Sequence, residues 1–85
     1  MFEFLTRPGC HLCDQARPLV LAEVARRGGS VREVDIDTDD RLIKEFGSRI
    51  PVLRAPGGEL VAEGLIDRRS IRRGLRGIGS KSEQG

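Results

Sequence analysis

Apolar positions near the start of the chain change from a period of two to a helical period. The segment FEFLT alternates large apolar residues with others, which predicts a short strand ending at Pro8-Gly9. Apolar residues then recur at spacings of three and four, which predicts a helix ending at Gly28-Gly29. The apolar positions of this helix are Leu12, Ala16, Leu19, Val20 and Val24. Pro18 lies inside it, where it should remove one backbone hydrogen bond and bend the axis.

A second strand and a second helix are predicted in the middle of the chain. VREVDID places Val34 and Ile36 on one strand face. Asp37 or Thr38 is predicted to cap the next helix, which ends at Gly47. The apolar positions of this helix are Leu42, Ile43 and Phe46. The first strand-helix-strand unit is therefore complete by residue 37, and its strands should be parallel with a right-handed crossover.

The last part of the chain is predicted to form a hairpin and a third helix. IPVLR and ELVAE are separated only by APGG, which is the spacing and chemistry of a hairpin. Asp67 is predicted to cap a final helix with apolar positions at Ile71, Leu75 and Ile78. The order β-α-β-α-β-β-α predicts an α/β fold with a four-stranded mixed sheet and helices on both faces. Residues 1–76 form one domain in this interpretation, and residues 77–85 a flexible tail.

Length and charge are those of one small domain without a strongly basic character. The chain has 85 residues, with 15 basic and 13 acidic side chains and a net charge of +2. That near balance argues against nucleic-acid binding. The arginines of the last helix are Arg68, Arg69, Arg72, Arg73 and Arg76. We expect them to form its solvated outer face, because no aromatic residues accompany them for base stacking, with a docking surface for an acidic protein as the alternative.

The chain carries no segment that predicts export or membrane insertion. No stretch approaches the roughly 18 apolar residues of a membrane span. MFEFLTR lacks the basic start and apolar centre of a signal peptide. We therefore expect a cytoplasmic location, where a spaced cysteine pair is more often catalytic or metal-binding than a structural bridge. The chain is also expected to be a monomer.

Both cysteines of the chain, Cys10 and Cys13, lie where the first predicted strand gives way to the first helix. The first turn of a helix presents unpaired N–H groups and a partial positive charge. That environment favours a thiolate, so Cys10 is predicted to be the attacking thiol. Cys13 lies almost one helical turn further on, close enough to form a disulfide with Cys10 but more shielded.

Two other interpretations of the cysteines stay open from the residues alone. Both can be small buried apolar residues, or they can belong to a metal site. A structural zinc needs four ligands, whereas the chain offers two cysteines and His11, so no metal site is predicted within one chain. A protonated His11 would stabilise a Cys10 thiolate, which makes it a candidate for tuning the Cys10 pKa, and the alternative is an exposed residue with little effect.

Several motifs resemble those of the thioredoxin superfamily, and within it those of small glutaredoxin-like proteins. Arg7-Pro8-Gly9-Cys10 followed by Cys13 is similar to the basic-Pro-Gly-Cys-x-x-Cys motif of glutaredoxins. Pro18 resembles the proline that kinks the corresponding helix of thioredoxins. Arg49-Ile50-Pro51 resembles the segment that contains the cis-proline of the family, and Gly64 the glycine before its last helix. The resemblance covers residues 2–76.

The resemblance implies a thioredoxin-like fold and a set of residues around the two sulfurs. Ile50-Pro51 would be a cis bond, with the Ile50 backbone pairing to an extended substrate. Arg7 and Arg49 would flank the motif and attract glutathione carboxylates, while Gly64 and Asp67 would belong to the glutathione site. Glu63 departs from that site, because glutaredoxins have a glycine there. The electron donor is therefore left open.

These observations predict a thiol-disulfide oxidoreductase in which Cys10 attacks and Cys13 resolves. Its substrate would be a disulfide-containing protein or a glutathione mixed disulfide, and its electron donor a reductase or glutathione. We expect no tightly bound cofactor, with glutathione as a possible co-substrate. The alternatives are a dimer that binds an iron-sulfur cluster with the help of glutathione, and a partner-binding module whose cysteines never cycle.

Overall fold

The computed structural model describes the backbone of residues 1–84 and the side chains of residues 1–78. Within these residues it contains four strands and three helices, with one 3-10 turn after the second strand. The strands are β1 (Phe2–Thr6), β2 (Val31–Asp35), β3 (Val52–Arg54) and β4 (Leu60–Glu63). The helices are α1 (His11–Arg26), α2 (Asp40–Phe46) and α3 (Arg68–Gln84). The predicted element order is confirmed.

The four strands form one mixed sheet in the order β2-β1-β3-β4. β1 and β2 are parallel, whereas β3 is antiparallel to both β1 and β4. The register places Leu5 opposite Val52, and Val52 opposite Glu63. The carboxyl ends of β1, β2 and β4 therefore meet the start of β3 at one edge of the sheet.

Each face of the sheet carries its own hydrophobic cluster, because successive strand residues point to opposite faces. Phe4 and Leu53 belong to the cluster under α1 and α3, which also contains Val20, Val24 and Ile71. The cluster on the other face, under α2, consists of Leu5, Ile36, Phe46 and Val52. Burying one such side chain contributes roughly 1.5–3 kcal/mol, so these two clusters hold the helices on both faces of the sheet.

The amino-terminal end of α2 differs from its prediction by one or two residues. Ile36 is not the last residue of a strand but begins a 3-10 turn, over Ile36–Thr38, that keeps its side chain buried. Asp39 then caps α2 by accepting a hydrogen bond from the Arg41 N–H at 2.9 Å, so the predicted caps Asp37 and Thr38 are wrong. The acidic run offers several residues with the chemistry of a cap, and the turn that buries Ile36 selects among them.

A buried carboxylate joins α1 to α3. Glu23 is 4 % exposed although it is charged, and it accepts a hydrogen bond from Arg72 Nε at 2.8 Å. Arg26 NH1 lies 3.5 Å from the same carboxylate. The hydrogen bond from Arg72 lowers the pKa of Glu23. Arg72 is therefore a contact between helices rather than a simply solvated side chain.

The predicted boundary between a domain over residues 1–76 and a flexible tail over residues 77–85 stays a prediction. α3 begins at Arg68 and extends to Gln84. The side chains of residues 79–85 lie outside the described residues. Within the described part of the chain, no helix is long and apolar enough to cross a membrane.

Two glycines in α3 give a test of how closely this helix packs on β4. A Cβ atom added at Gly74 would collide with the Val61 carbonyl oxygen, whereas one added at Gly77 would meet no atom within 4 Å. Alanine is otherwise favoured over glycine in a helix by about 1 kcal/mol. The two positions therefore differ in packing but share the same helical propensity.

We expect Gly74→Ala to lower the free energy of unfolding by roughly 1–3 kcal/mol, because overpacking outweighs the gain in propensity. Gly77→Ala should instead raise it by about 0.5–1 kcal/mol. Urea denaturation followed by circular dichroism measures both changes. A Gly74→Ala variant as stable as Gly77→Ala would contradict the close approach of α3 to β4.

Candidate active site at the Cys10-Cys13 pair

A tight turn carries the chain from β1 into α1 and places Cys10 at the helix cap. The Cys10 N–H donates to the Arg7 carbonyl at 3.4 Å, and Gly9 has a φ of +78°, which glycine adopts without strain. Cys10 is the N-cap of α1, and its carbonyl accepts the Asp14 N–H at 3.1 Å. The Pro8-Gly9 turn predicted from the sequence therefore sets Cys10 at the positive end of the helix dipole.

The two cysteines form a disulfide, with their Cα atoms 5.2 Å apart. Cys13 is 0 % exposed, whereas Cys10 is only partly buried. The Cys13 N–H also donates to Cys10 Sγ, with the nitrogen 3.1 Å from the sulfur. The same donor would stabilise negative charge on Cys10 Sγ after reduction, because hydrogen bonding to the charged form favours it. One sulfur is thus accessible and the other sheltered.

A cis-proline lies at the same edge of the sheet as this turn. Ile50-Pro51 is a cis peptide bond, as the resemblance implied. Pro51 directly precedes β3, whose first residue Val52 is opposite Leu5 near the end of β1. The Gly64 N–H donates to the Pro51 carbonyl at 2.8 Å, which ties the end of the hairpin to this segment. The Ile50 N–H already donates to the Phe46 carbonyl at 3.0 Å. The Ile50 backbone can therefore offer an extended substrate its carbonyl group but not its N–H.

Both arginines predicted to flank the motif lie at this edge, and each is paired with a carboxylate of the chain. Arg7 NH2 lies 2.6 Å from Asp37 Oδ1. Arg49 Nε lies 2.7 Å from Glu63 Oε2, with its guanidinium carbon 5.0 Å from the centre of the Phe46 ring. An anionic ligand at either arginine would therefore compete with a carboxylate that is already present.

The remaining predicted site residues lie at the amino-terminal ends of two helices. His11 is the first residue of α1 and is exposed. Asp67 caps α3: its carboxylate accepts the Ser70 N–H at 2.7 Å, and Ser70 Oγ accepts the Asp67 N–H at 3.0 Å. The Ser70 N–H lowers the pKa of Asp67. The backbone N–H and the carboxylate of Asp67 are thus both hydrogen-bonded within the chain.

A hydrogen-bond network behind the turn is absent from the sequence predictions. The Thr6 hydroxyl, 3 % exposed as a residue, donates to Glu33 Oε2 at 2.8 Å. Arg17 donates to both oxygens of Glu33 at 2.8 Å and to Asp14 Oδ1 at 3.0 Å. The hydrogen bond from Arg17 lowers the pKa of Glu33. The network joins the end of β1 to the first turns of α1, and so holds both sides of the cysteine turn.

None of the described residues assemble into a group of three or more His, Cys, Asp or Glu side chains placed to hold a metal ion. The chemistry that the described site offers is that of the two sulfurs, the helix cap and the neighbouring backbone. A mixed four-stranded sheet, helices on both faces, and a Cys-x-x-Cys disulfide opposite a cis-proline define a thioredoxin-like domain.

Comparison with known proteins gives the family within that class. The family model described as glutaredoxin-like domain (DUF836) matches residues 2–76, and the chain belongs to this family. A Northeast Structural Genomics target protein from X. campestris is 36% identical, with a TM-score of 0.75 over 91% of this chain and 97% of that chain. A mutant thioredoxin from Halobacterium salinarum NRC-1 is 25% identical, with a TM-score of 0.63 over 85% of this chain and 67% of that chain. No curated protein matches the chain significantly.

Proposed function

We propose that the protein is a thiol-disulfide oxidoreductase in which Cys10 is the nucleophile and Cys13 the resolving thiol. The observation that carries this proposal is the difference between the two sulfurs. Cys10 is a partly exposed helix cap that accepts an N–H at its sulfur, whereas Cys13 is 0 % exposed. A thiolate at a helix N-terminus is the form that attacks a disulfide, and it needs access to the substrate.

The reaction begins from the reduced dithiol and moves two electrons to the substrate. The Cys10 thiolate bonds to one substrate sulfur, the substrate S–S bond breaks, and the other substrate sulfur leaves as a thiolate that takes a proton from water. Cys13 then loses its proton and attacks Cys10 Sγ, which releases the second substrate thiol and forms the Cys10–Cys13 disulfide. An external thiol or dithiol donor must return two electrons to the chain before the next cycle.

The polar groups at the site edge favour a protein disulfide as the main substrate. Arg7 is paired with Asp37, and Arg49 with Glu63. The Asp67 carboxylate already accepts a hydrogen bond as the cap of α3. A glutathione mixed disulfide would therefore bind only as its carboxylates displace those of the chain. We propose that the activity is cytoplasmic. Because the arginines of this edge are already paired, we favour a dithiol reductase as the electron donor, with glutathione as the alternative.

The assignment of the two thiols predicts different outcomes for two serine substitutions. Cys13→Ser should still attack disulfides but should accumulate a mixed disulfide on Cys10, because no resolving thiol remains. Cys10→Ser should form no adduct and lose essentially all activity. Mass spectrometry after incubation with insulin, together with insulin reduction under a dithiol reductase or glutathione, measures both. The assignment would be contradicted if Cys10→Ser formed an adduct on Cys13 as fast as Cys13→Ser forms one on Cys10. A wild-type protein that is inactive with both donors would favour a non-catalytic module.

Glu63→Gln tests whether the chain itself competes with glutathione for Arg49. Exposed ion pairs contribute roughly 0.2–1 kcal/mol, so the KM for a glutathione mixed disulfide should fall up to about fivefold. Glu45→Gln, an exposed position on α2 without an ion pair among the described residues, is the matched control. Steady-state kinetics on both variants gives the comparison, and equal KM values would rule out the competition.

A further inference from the structure

A positively charged groove runs along α3 where this helix passes α1. Its volume is about 710 Å³. The lining residues are Leu19, Asp67, Arg68, Arg69, Arg72 and Arg76. Leu19 is a half-buried apolar residue on α1, and Leu65, which is outside the lining and two residues before Asp67 in the chain, is 80% exposed. The groove therefore combines arginine side chains with apolar surface, which is typical of protein-binding sites.

Most of the arginines that line this groove form no salt bridge with a described side chain, the exception being Arg72, which pairs with Glu23. Outside α3, Arg27 and Arg41 likewise form no salt bridge among the described residues, whereas six arginines do, namely Arg7, Arg17, Arg26, Arg32, Arg49 and Arg54. Arg68, Arg69 and Arg76 form no salt bridge with any residue whose side chain the structure describes. Two carboxylates attract these arginines: Glu23, which pairs with Arg72, interacts electrostatically with Arg68, and Asp67, which caps α3, interacts electrostatically with Arg69. Four arginines face these two carboxylates, so the described residues leave the groove with a net positive charge.

Two elements connect the groove to the edge of the sheet where the cysteine pair lies. Leu19 follows Cys13 by six residues on α1, which corresponds to about 9 Å along the helix axis. At the other side, Asp67 follows Gly64, whose N–H donates to the Pro51 carbonyl. An extended polypeptide covers about 3.3 Å per residue, so a segment in the groove needs about three further residues to cover that axial distance toward the cysteine pair.

We infer that this groove docks an acidic segment of the partner protein whose disulfide Cys10 reduces, a role that rests on the proposed function. Glutamate or aspartate side chains of that segment pair with Arg68, Arg69 and Arg76, and an apolar side chain contacts Leu19. Charge complementarity of this kind raises the association rate and selects the partner. Nucleic acid fits less well, because the described residues that line the groove include no aromatic side chain for base stacking.

Binding to a labelled acidic peptide tests the groove without any redox step. The probe is a fluorescein-labelled peptide of about twelve residues with the repeat Glu-Glu-Leu, measured by fluorescence anisotropy at low salt. Arg69→Glu combined with Arg76→Glu should weaken binding about tenfold or more. Arg41→Glu combined with Lys44→Glu makes the same charge change on α2, on the opposite face of the sheet, and should weaken it far less. Equal losses in the two double variants, or tighter wild-type binding to a single-stranded oligothymidine than to the peptide, would overturn the proposal.

A second measurement separates the docking surface from the oxidoreductase activity. Both double variants should reduce the small neutral substrate hydroxyethyl disulfide at the wild-type rate, because they leave the cysteine turn unchanged. With a disulfide-bearing form of the acidic peptide, the α3 variant alone should show a raised KM. If the protein reduces no disulfide, the proposed function is wrong, and the anisotropy measurement still tests whether the groove binds an acidic segment. If both variants reduce every disulfide equally well, the docking proposal is wrong and the proposed function stands.

Discussion

The packing of α1 against the sheet is the interaction on which the two unequal sulfurs depend. The buried residues Cys13, Ala16, Val20 and Val24 recur at spacings of three and four, so they form one stripe that faces the sheet. Cys13 is the first residue of that stripe and is therefore sheltered by the same contacts that hold the helix in place. Cys10 precedes the stripe by one turn and caps the helix, which leaves its sulfur accessible and beside a free helix N-terminus.

Charge pairing then separates the surface into two kinds of region. At the cysteine edge, Arg7 and Arg49 have carboxylate partners, so the rim is close to neutral. Along α3, the arginines that line the groove outnumber the carboxylates that attract them, which are Glu23 and Asp67. The groove between α3 and α1 therefore carries a net positive charge among the described residues.

Local pattern and long-range contact account for what could and could not be predicted from the sequence. Strand alternation, helical spacing and the Pro8-Gly9 turn predicted the elements and the position of Cys10, and the resemblance implied the cis bond at Pro51. The pairing of Arg49 with Glu63 depends on the register of the hairpin. The contact of Thr6 with Glu33 depends on the pairing of β1 with β2, so neither contact can be recognised from the order of residues along the chain. The cap of α2 at Asp39 was missed because an acidic run offers several equivalent caps.

Alkylation of the reduced protein by iodoacetamide, followed by peptide mapping at a series of pH values, tests the central claim most directly. Only a thiolate reacts, so the account predicts that Cys10 is modified first and that its reaction rises with a midpoint well below the ordinary cysteine pKa of about 8.5. Cys13 should stay largely unmodified while the protein is folded. Equal modification of the two cysteines, or a midpoint for Cys10 at or above that ordinary value, would contradict the assignment of Cys10 as the activated nucleophile.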